Sequence, residues 1–235
     1  MSHSRIGVIK FINSIPLRHG MERFGEVIQG TPRGLASAFE KGELDVSYIP
    51  SVEYLRNRDD YCLVPGVSIS SFGTTRSVRL YYSGDIGDVG CVCLSPDSLT
   101  SNFLFARVLD ERYGISPKYV DGNECKLSDA RVIIGDRALV ERQGLNHLDL
   151  GTEWMSLTGL PLVYAVCVAR DPQLAEELAP GFQQQVASNL RDLKTILSLS
   201  GQSEYRYYIE TLDYRLNDLH SRCLDRIASY LDSPA

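Results

Sequence analysis

The chain has 235 residues, 43% of them hydrophobic and 23% charged, with 24 Lys and Arg against 30 Asp and Glu for a net charge of −6. That length suffices for one large domain or two lobes with real cores, and the composition excludes disorder, collagen and coiled coil. An acidic chain without a Lys/Arg run is a poor partner for nucleic acid or an anionic membrane, and no run of about 18 apolar residues offers a bilayer span. The start, MSHSRIGVIKF, enters a strand pattern with no apolar signal region, so a cytoplasmic chain is expected.

Arg5 to Phe11 alternates and predicts a strand that ends in the loop Ile12-Asn13-Ser14-Ile15-Pro16. Thr31-Pro32 opens a helix with a capping Thr and Pro at its first position; Leu35, Ala38 and Phe39 supply the buried stripe and Gly42 stops it. Asp45 to Pro50 reads as a short strand, after which Ser51 caps a second helix. Cys62 to Ser71 is a strand running into Phe72-Gly73-Thr74-Thr75; Ser77 to Ser83 and Cys91 to Ser95 are further strands. Ser98 to Asn102 is rich in cap residues and precedes a helix with Leu104, Phe105, Val108 and Leu109 on one face and Gly114 as its stop. Ala130 to Ile134 is a buried strand ending at Gly135-Asp136, and Pro161 to Ala169 is a continuous apolar run of strand length. Beyond it, Phe182, Val186, Leu190, Leu193 and Leu197 fall at helical spacing, as do Ile209, Leu212, Leu216, Leu219, Cys223 and Ile227, so the tail is expected to be helical. Alternating strands and helices predict an α/β fold with mainly parallel sheet. Chain order suggests two lobes, residues 1–72 with 170–235 and residues 73–169, with crossings near 71–77 and 164–170 and a central ligand cleft between them.

Ligands of open α/β sheets bind at the carboxyl ends of the strands. The polar residues at those ends are Asn13, Ser14, Ser51, Ser70, Ser71, Thr100, Ser101, Asn102, Gly135 and Asp136, with Ser77 just past the first crossing. Helix starts after Ser51 and around Thr100, one from each lobe, present free N–H groups that suit carboxylate or phosphate. A ligand with two carboxylates, one per lobe, fits this layout, although Ser, Thr and Asn at these places also serve as ordinary caps. GxGxxG, GxxxxGK[ST] and GxSxG are absent, and His3, His19, His147 and His220 lack metal spacing, so neither a nucleotide cofactor nor a metal is expected. His19 is either a base beside the first loop or, more commonly for such a residue, a surface group. Cys62, Cys91, Cys93, Cys125, Cys167 and Cys223 are expected to be free structural thiols, because Cys91-Val-Cys93 has no second pair nearby to complete a metal site.

In order along the chain, RIGVIKFINSIPL, TPRGLASAFEKGELDVSYIPSVEYLRN, LVPGVSISSFGTTRSVRLYYS, SLTSNFLFARVLDERYGI, VIIGDRAL, DLGTEWMSLTGLPLVYAVCVAR and YYIETLDYRLNDL resemble the chorismate dehydratases of the futalosine route to menaquinone. The resemblance implies a type II periplasmic-binding-protein-like fold used as a lyase, which removes water from chorismate to give 3-[(1-carboxyvinyl)oxy]benzoate with no cofactor. By the FxN-x-x-PL pattern it implies a catalytic or charge-stabilising role for Asn13, and the same for Ser77 at the start of the strand after the crossing. It further implies that Thr100, Ser101 and Asn102 take a carboxylate, with Ser14, Ser51, Ser70, Ser71, Gly135 and Asp136 as weaker cleft assignments. The chain departs from the family's usual acidic residue, Gly and Pro at Phe72-Gly73-Thr74-Thr75-Arg76, which places Arg76 either beside the cleft or in solvent. The base is open between Glu53, Asp136 and a carboxylate of the substrate itself. A non-catalytic small-anion binder of the same fold and the sister 1,4-dihydroxy-6-naphthoate synthase are the alternatives. The expected substrate is thus a small dianion, neither nucleic acid nor membrane is expected as a partner, and a monomer or homodimer is expected.

Overall fold

The computed structural model describes residues 4–122, 130–140 and 144–232. Eleven strands form two sheets among these residues. The first sheet has the order β11-β4-β10-β3-β1-β2, built from β1 (Ser4–Ile9), β2 (Gly25–Gly30), β3 (Val46–Pro50), β4 (Cys62–Ser71), β10 (Leu162–Ala169) and β11 (Leu212–Asp213). The second has the order β7-β6-β8-β5-β9, built from β5 (Val78–Tyr82), β6 (Cys91–Cys93), β7 (Lys118–Val120), β8 (Ala130–Ile134) and β9 (Asn146–Asp149). The fold is α/β and two-lobed, and the sheets are mixed rather than mainly parallel. β1 runs parallel to β2 and β3, and β6 parallel to β7 and β8, while β10 is antiparallel to both its neighbours and β5 to both of its own.

In the first sheet the apolar run at 161–169 is a source of that difference. Chain order puts it in the second lobe, but β10 lies between β3 and β4 in the first sheet, pairing Val166 with Ile49 and with Ser68. A strand covered on both faces reads as a continuous apolar run, and β3 and β10 are buried along nearly their whole length. The chain therefore passes to the second sheet between Ser71 and Val78 and returns ahead of Leu162, with the two passages side by side.

Helices flank the sheets. Helix α1 (Ile15–Arg18) follows a short 3-10 turn over Ile12–Ser14. Helix α2 (Pro32–Glu40) starts as expected: the Thr31 hydroxyl accepts the Gly34 N–H at 3.2 Å, Pro32 needs no donor there, and Gly42 (φ 81°) takes the chain out. Its buried stripe is Leu35, Ala36 and Phe39, with Ala36 in place of the expected Ala38. Helix α3 (Ser51–Arg56) follows β3 with no gap, so Ser51 is its first residue and not a side-chain cap. Helix α4 (Thr100–Tyr113) buries Leu104, Phe105, Val108 and Leu109 and ends at left-handed Gly114. Helix α5 (Leu150–Thr158) is capped by Asp149. The tail comprises α6 (Pro172–Arg191), α7 (Leu193–Leu199), α8 (Arg206–Ile209) and α9 (Asp218–Asp232). It is not wholly helical. Leu212 sits in β11, on the edge of the first sheet, where it pairs with Ser71, and Leu219 is 41% exposed, so neither belongs to a helical core stripe.

One continuous core joins the lobes. Val46, Ile49 and Val166 of the first sheet and Leu80, Val92 and Val132 of the second belong to the same cluster of buried residues. Cys62, Cys167 and Cys223 are free thiols. Cys93 is disulfide-bonded, contrary to the expectation that all six cysteines are free, and Cys125 lies outside the described residues.

Candidate active site

A cleft of about 490 Å³, counting the space open to solvent, lies between the sheets. Its walls come from the loop after β1, the ends of β3 and β8, the crossing before β5 and the start of α4. Ile9, Phe11, Ile69, Val78 and Ile134 give it apolar faces; Asn13, Thr75, Ser77, Ser98, Thr100, Ser101 and Tyr164 give it polar ones. None of the lining residues carries a formal charge. Of the residues named from sequence, the structure brings Asn13, Ser77, Thr100, Ser101 and Gly135 together at this cleft.

The 3-10 turn after β1 sets Asn13. Its carbonyl accepts a 2.8 Å bond from the phenol of fully buried Tyr214, while its side-chain Oδ1 is buried in the cleft wall with no intramolecular donor. A buried amide oxygen without a partner carries a desolvation cost of about 1–3 kcal/mol, which a ligand donor offsets. Ser77 is set from the other lobe. It is 2% exposed, its N–H donates to Thr75 O at 2.7 Å, and its carbonyl accepts the Gly135 N–H at 2.8 Å. Its hydroxyl is 3.4 Å from the Thr75 hydroxyl and within reach of the Tyr208 phenol, whose proton burial makes harder to remove.

The remaining predicted residues stand behind this wall. Ser14 donates to the carbonyls of Ile9 and Phe11, Ser51 to Val163 O, and Ser70 to Asp213 O. The Ser71 hydroxyl donates to Gly73 O and touches Tyr164 OH at 2.9 Å. Asn102 accepts the Ser95 N–H and donates to the carbonyls of Ser95 and Ser98, locking the turn ahead of α4. In each case the polar group is already satisfied by backbone. Asp136 bridges the lobes by accepting the Ile12 N–H at 2.9 Å. Burial raises its carboxyl above the ordinary range, opposed by that bond and by Arg18 and Lys10. Beside it, Gly135 (φ 67°) abuts the Phe11 ring so closely that a Cβ there would lie 2.9 Å from it. Thr100 also bridges, accepting the Val52 N–H at 3.2 Å.

His19 is exposed and lines a separate surface groove. Glu53 accepts from Asn57 and does not line the cleft. Arg76 also stays outside the lining and lays its guanidinium 4.5 Å over the Tyr207 ring. Thr75, Ser98 and Tyr164 are lining residues that strand-end reasoning misses. Ser98 lay in the cap-rich stretch, where its hydroxyl accepts the Ser101 N–H, but Tyr164 sits inside a strand and shows no polar signal. Among the described residues no three His, Cys, Asp or Glu side chains gather to hold a metal ion.

The menaquinone biosynthesis family model matches residues 4–233. The chain belongs to the menaquinone biosynthesis family. A family relative, the chorismate dehydratase of Thermus thermophilus, is 30% identical over 188 residues, which are 70% of this chain and 69% of that one. Among solved structures, a protein of Archaeoglobus fulgidus superposes with a TM-score of 0.77 at 15% identity, covering 97% of this chain and 96% of its own. The periplasmic aliphatic sulphonate binding protein of Escherichia coli superposes at 0.63 with 14% identity, covering 97% and 86%. A Candida albicans protein described as having the generic periplasmic binding protein fold superposes at 0.68 with 9% identity, covering 100% and 92%. This family member therefore has the periplasmic-binding-protein-like fold. No described helix is long and apolar enough to cross a membrane.

Proposed function

We propose that the protein is a chorismate dehydratase, a cytoplasmic hydro-lyase that converts chorismate to 3-[(1-carboxyvinyl)oxy]benzoate and water. Family membership and the similarity to the Thermus thermophilus chorismate dehydratase support the reaction class. The observation that carries the reading at the site is the cleft itself, apolar on its faces and edged by hydroxyls and an unpaired amide oxygen. An apolar ring with two carboxylates and one hydroxyl matches that lining. Thr100 and Ser101 at the start of α4 take one carboxylate through their hydroxyls, where the helix dipole favours negative charge.

The chemistry is balanced without a redox group. The ether-bearing ring carbon loses its proton, the neighbouring ring carbon loses its hydroxyl, and the two leave as water while the ring gains its third double bond. Aromatisation drives the reaction, so the protein's task is orientation and charge stabilisation. No lining side chain is a carboxylate or an imidazole. A carboxylate of the substrate therefore takes the proton, and Asn13 and Ser77 hold the geometry from opposite lobes.

Incubating the purified protein with chorismate tests this. The expected result is a rise in aromatic absorbance and a product lighter by one water. Binding without conversion favours a small-anion binding protein of the same fold, and inertness to chorismate with turnover of a futalosine derivative favours 1,4-dihydroxy-6-naphthoate synthase.

A further inference from the structure

The turn that delivers Ser77 to the cleft is held in an unfavourable shape. Arg76 alone among the described non-glycine residues has a positive φ, 61°. The Ser77 N–H closes back on Thr75 O at 2.7 Å, making a three-residue turn with Arg76 at its centre. Turns of this hand are rare and strained for a residue with a Cβ. They persist only where the surroundings over-determine them.

Here the surroundings converge on one side chain. Asp149 accepts the Thr75 N–H at 2.9 Å through Oδ1 and the Arg76 N–H at 2.7 Å through Oδ2. Oδ1 also accepts the Thr152 N–H at 3.2 Å, capping α5. The residue is 8% exposed and does not line the cleft. Gly151 brings the same helix start against the crossing, since a Cβ there would lie 2.1 Å from Gly73 O and 2.7 Å from Ser71 Oγ. Strand pairing of Asp149 with Arg79 ties the carboxylate to the strand that Ser77 precedes.

We propose that Asp149 is a positioning residue: by binding two consecutive amides of the Thr75-Arg76-Ser77 turn, it holds the Ser77 hydroxyl where the reaction needs it. Its effect on turnover rests on the dehydration reading, with Ser77 at the reacting site. Arg76 contributes only the awkward backbone, which explains why a residue outside the cleft matters to it.

Three variants test the idea. Asp149→Asn keeps the size but can accept only one of the two amides. Its kcat on chorismate is expected to fall about 10- to 100-fold, less than the roughly 10²- to 10³-fold for removing a preorganised group outright, because the Ser77 hydroxyl is misplaced and not lost, with KM changed less than about threefold because Asp149 does not line the cleft. In a Ser77→Ala background the same change is expected to do nothing more, because there is no hydroxyl left to place. Arg76→Gly is expected to restore most of the lost kcat to Asp149→Asn, since glycine takes the left-handed turn freely. Effects of Asp149→Asn and Ser77→Ala that multiply, or failure of Arg76→Gly to rescue, overturn the proposal. If Asp149→Asn does not fold by circular dichroism, the Asp149→Asn/Arg76→Gly double variant is read instead: near-normal kcat supports the proposal, and loss of activity or of folding overturns it. Wild type that leaves chorismate unchanged defeats the dehydration reading separately, and Ser77→Ala with normal kcat defeats the placement of Ser77 at the reacting site. Amide exchange at residues 75–77 of the substrate-free protein then decides. At least tenfold faster exchange in Asp149→Asn supports the positioning role whatever the reaction, and unchanged exchange overturns it.

Discussion

Asn13 and Ser77 face the cleft from different lobes, and their surroundings are finished except on the cleft side. Tyr214 holds the backbone of Asn13 and leaves the side-chain oxygen unpaired; Thr75, Gly135 and Tyr208 surround Ser77. Losing one such preorganised group costs about 10² to 10³ in turnover. Asn13→Asp and Ser77→Ala are each expected to lower kcat on chorismate by about 10² or more, and steady-state kinetics on chorismate checks both. Asn13→Asp adds a negative charge where a dianion binds, so its KM is expected to rise as well. Asp136 offers a pH test. Its folded-state carboxyl is raised above the ordinary value of 3.8 by burial, so the folded protein holds that proton more tightly than the unfolded chain does. Protonation then favours folding, and the contribution is lost as pH rises from about 4 through the raised folded value. Asp136→Asn keeps an acceptor for the Ile12 N–H and removes the titration. Melting temperatures across acid pH should therefore fall less steeply with rising pH in Asp136→Asn than in wild type.

The loop-to-helix junctions decide how the lobes meet. Gly135 packs on the Phe11 ring with φ 67°, so Gly135→Ala meets both a backbone penalty of about 1–2 kcal/mol and a ring 2.9 Å from the new Cβ. A stability loss of roughly 1–3 kcal/mol in urea is expected, with a raised KM as Phe11 is pushed from its place in the cleft wall. The strong elements were legible in the sequence because local rules specify them: Thr31-Pro32 starting α2, Gly114 ending α4, and the apolar runs of β3 and β10. The short strands β7 and β9 were not, since Lys118–Val120 and Asn146–Asp149 are brief and partly exposed, without a clear period. Strand-end reasoning led to Asn13, Ser77, Thr100, Ser101 and Gly135 at the cleft, but it does not show which hydroxyls are already occupied. Ser14, Ser51 and Ser70 donate to carbonyls, two of these reaching residues more than one hundred positions away. The aromatic groups behind the cleft, Tyr208 and Tyr214, come from the tail, where a helical stripe was the only visible signal.

The two lobes are expected to unfold as one unit. Two sheets joined by two adjacent passages would behave as separate domains if each had its own core, but the buried cluster runs from Ile6 and Ile49 in one sheet to Leu80 and Val132 in the other without a break. Cross-lobe bonds add to it: Ile12 N–H to Asp136, and Val52 N–H to Thr100. The single tryptophan of the chain reports on this junction. Trp154 is fully buried in α5, against the second sheet, and its ring meets Tyr230 of α9 edge-on at 6.2 Å between centroids. Helix α9 packs over α3 and β10 of the first sheet, so Trp154 senses separation of the lobes, while far-UV circular dichroism senses loss of either. For a cooperative transition the two signals must coincide across a urea titration. A ligand that binds only the folded cleft adds RT ln(1 + [L]/Kd) to stability, so the aromatic product should shift both curves together, by about 2.7 kcal/mol at one hundred times its Kd. A fluorescence change that precedes the dichroism change would mean that the lobes part before they melt, and a product-induced shift in only one signal would place the ligand within a single lobe and not between them.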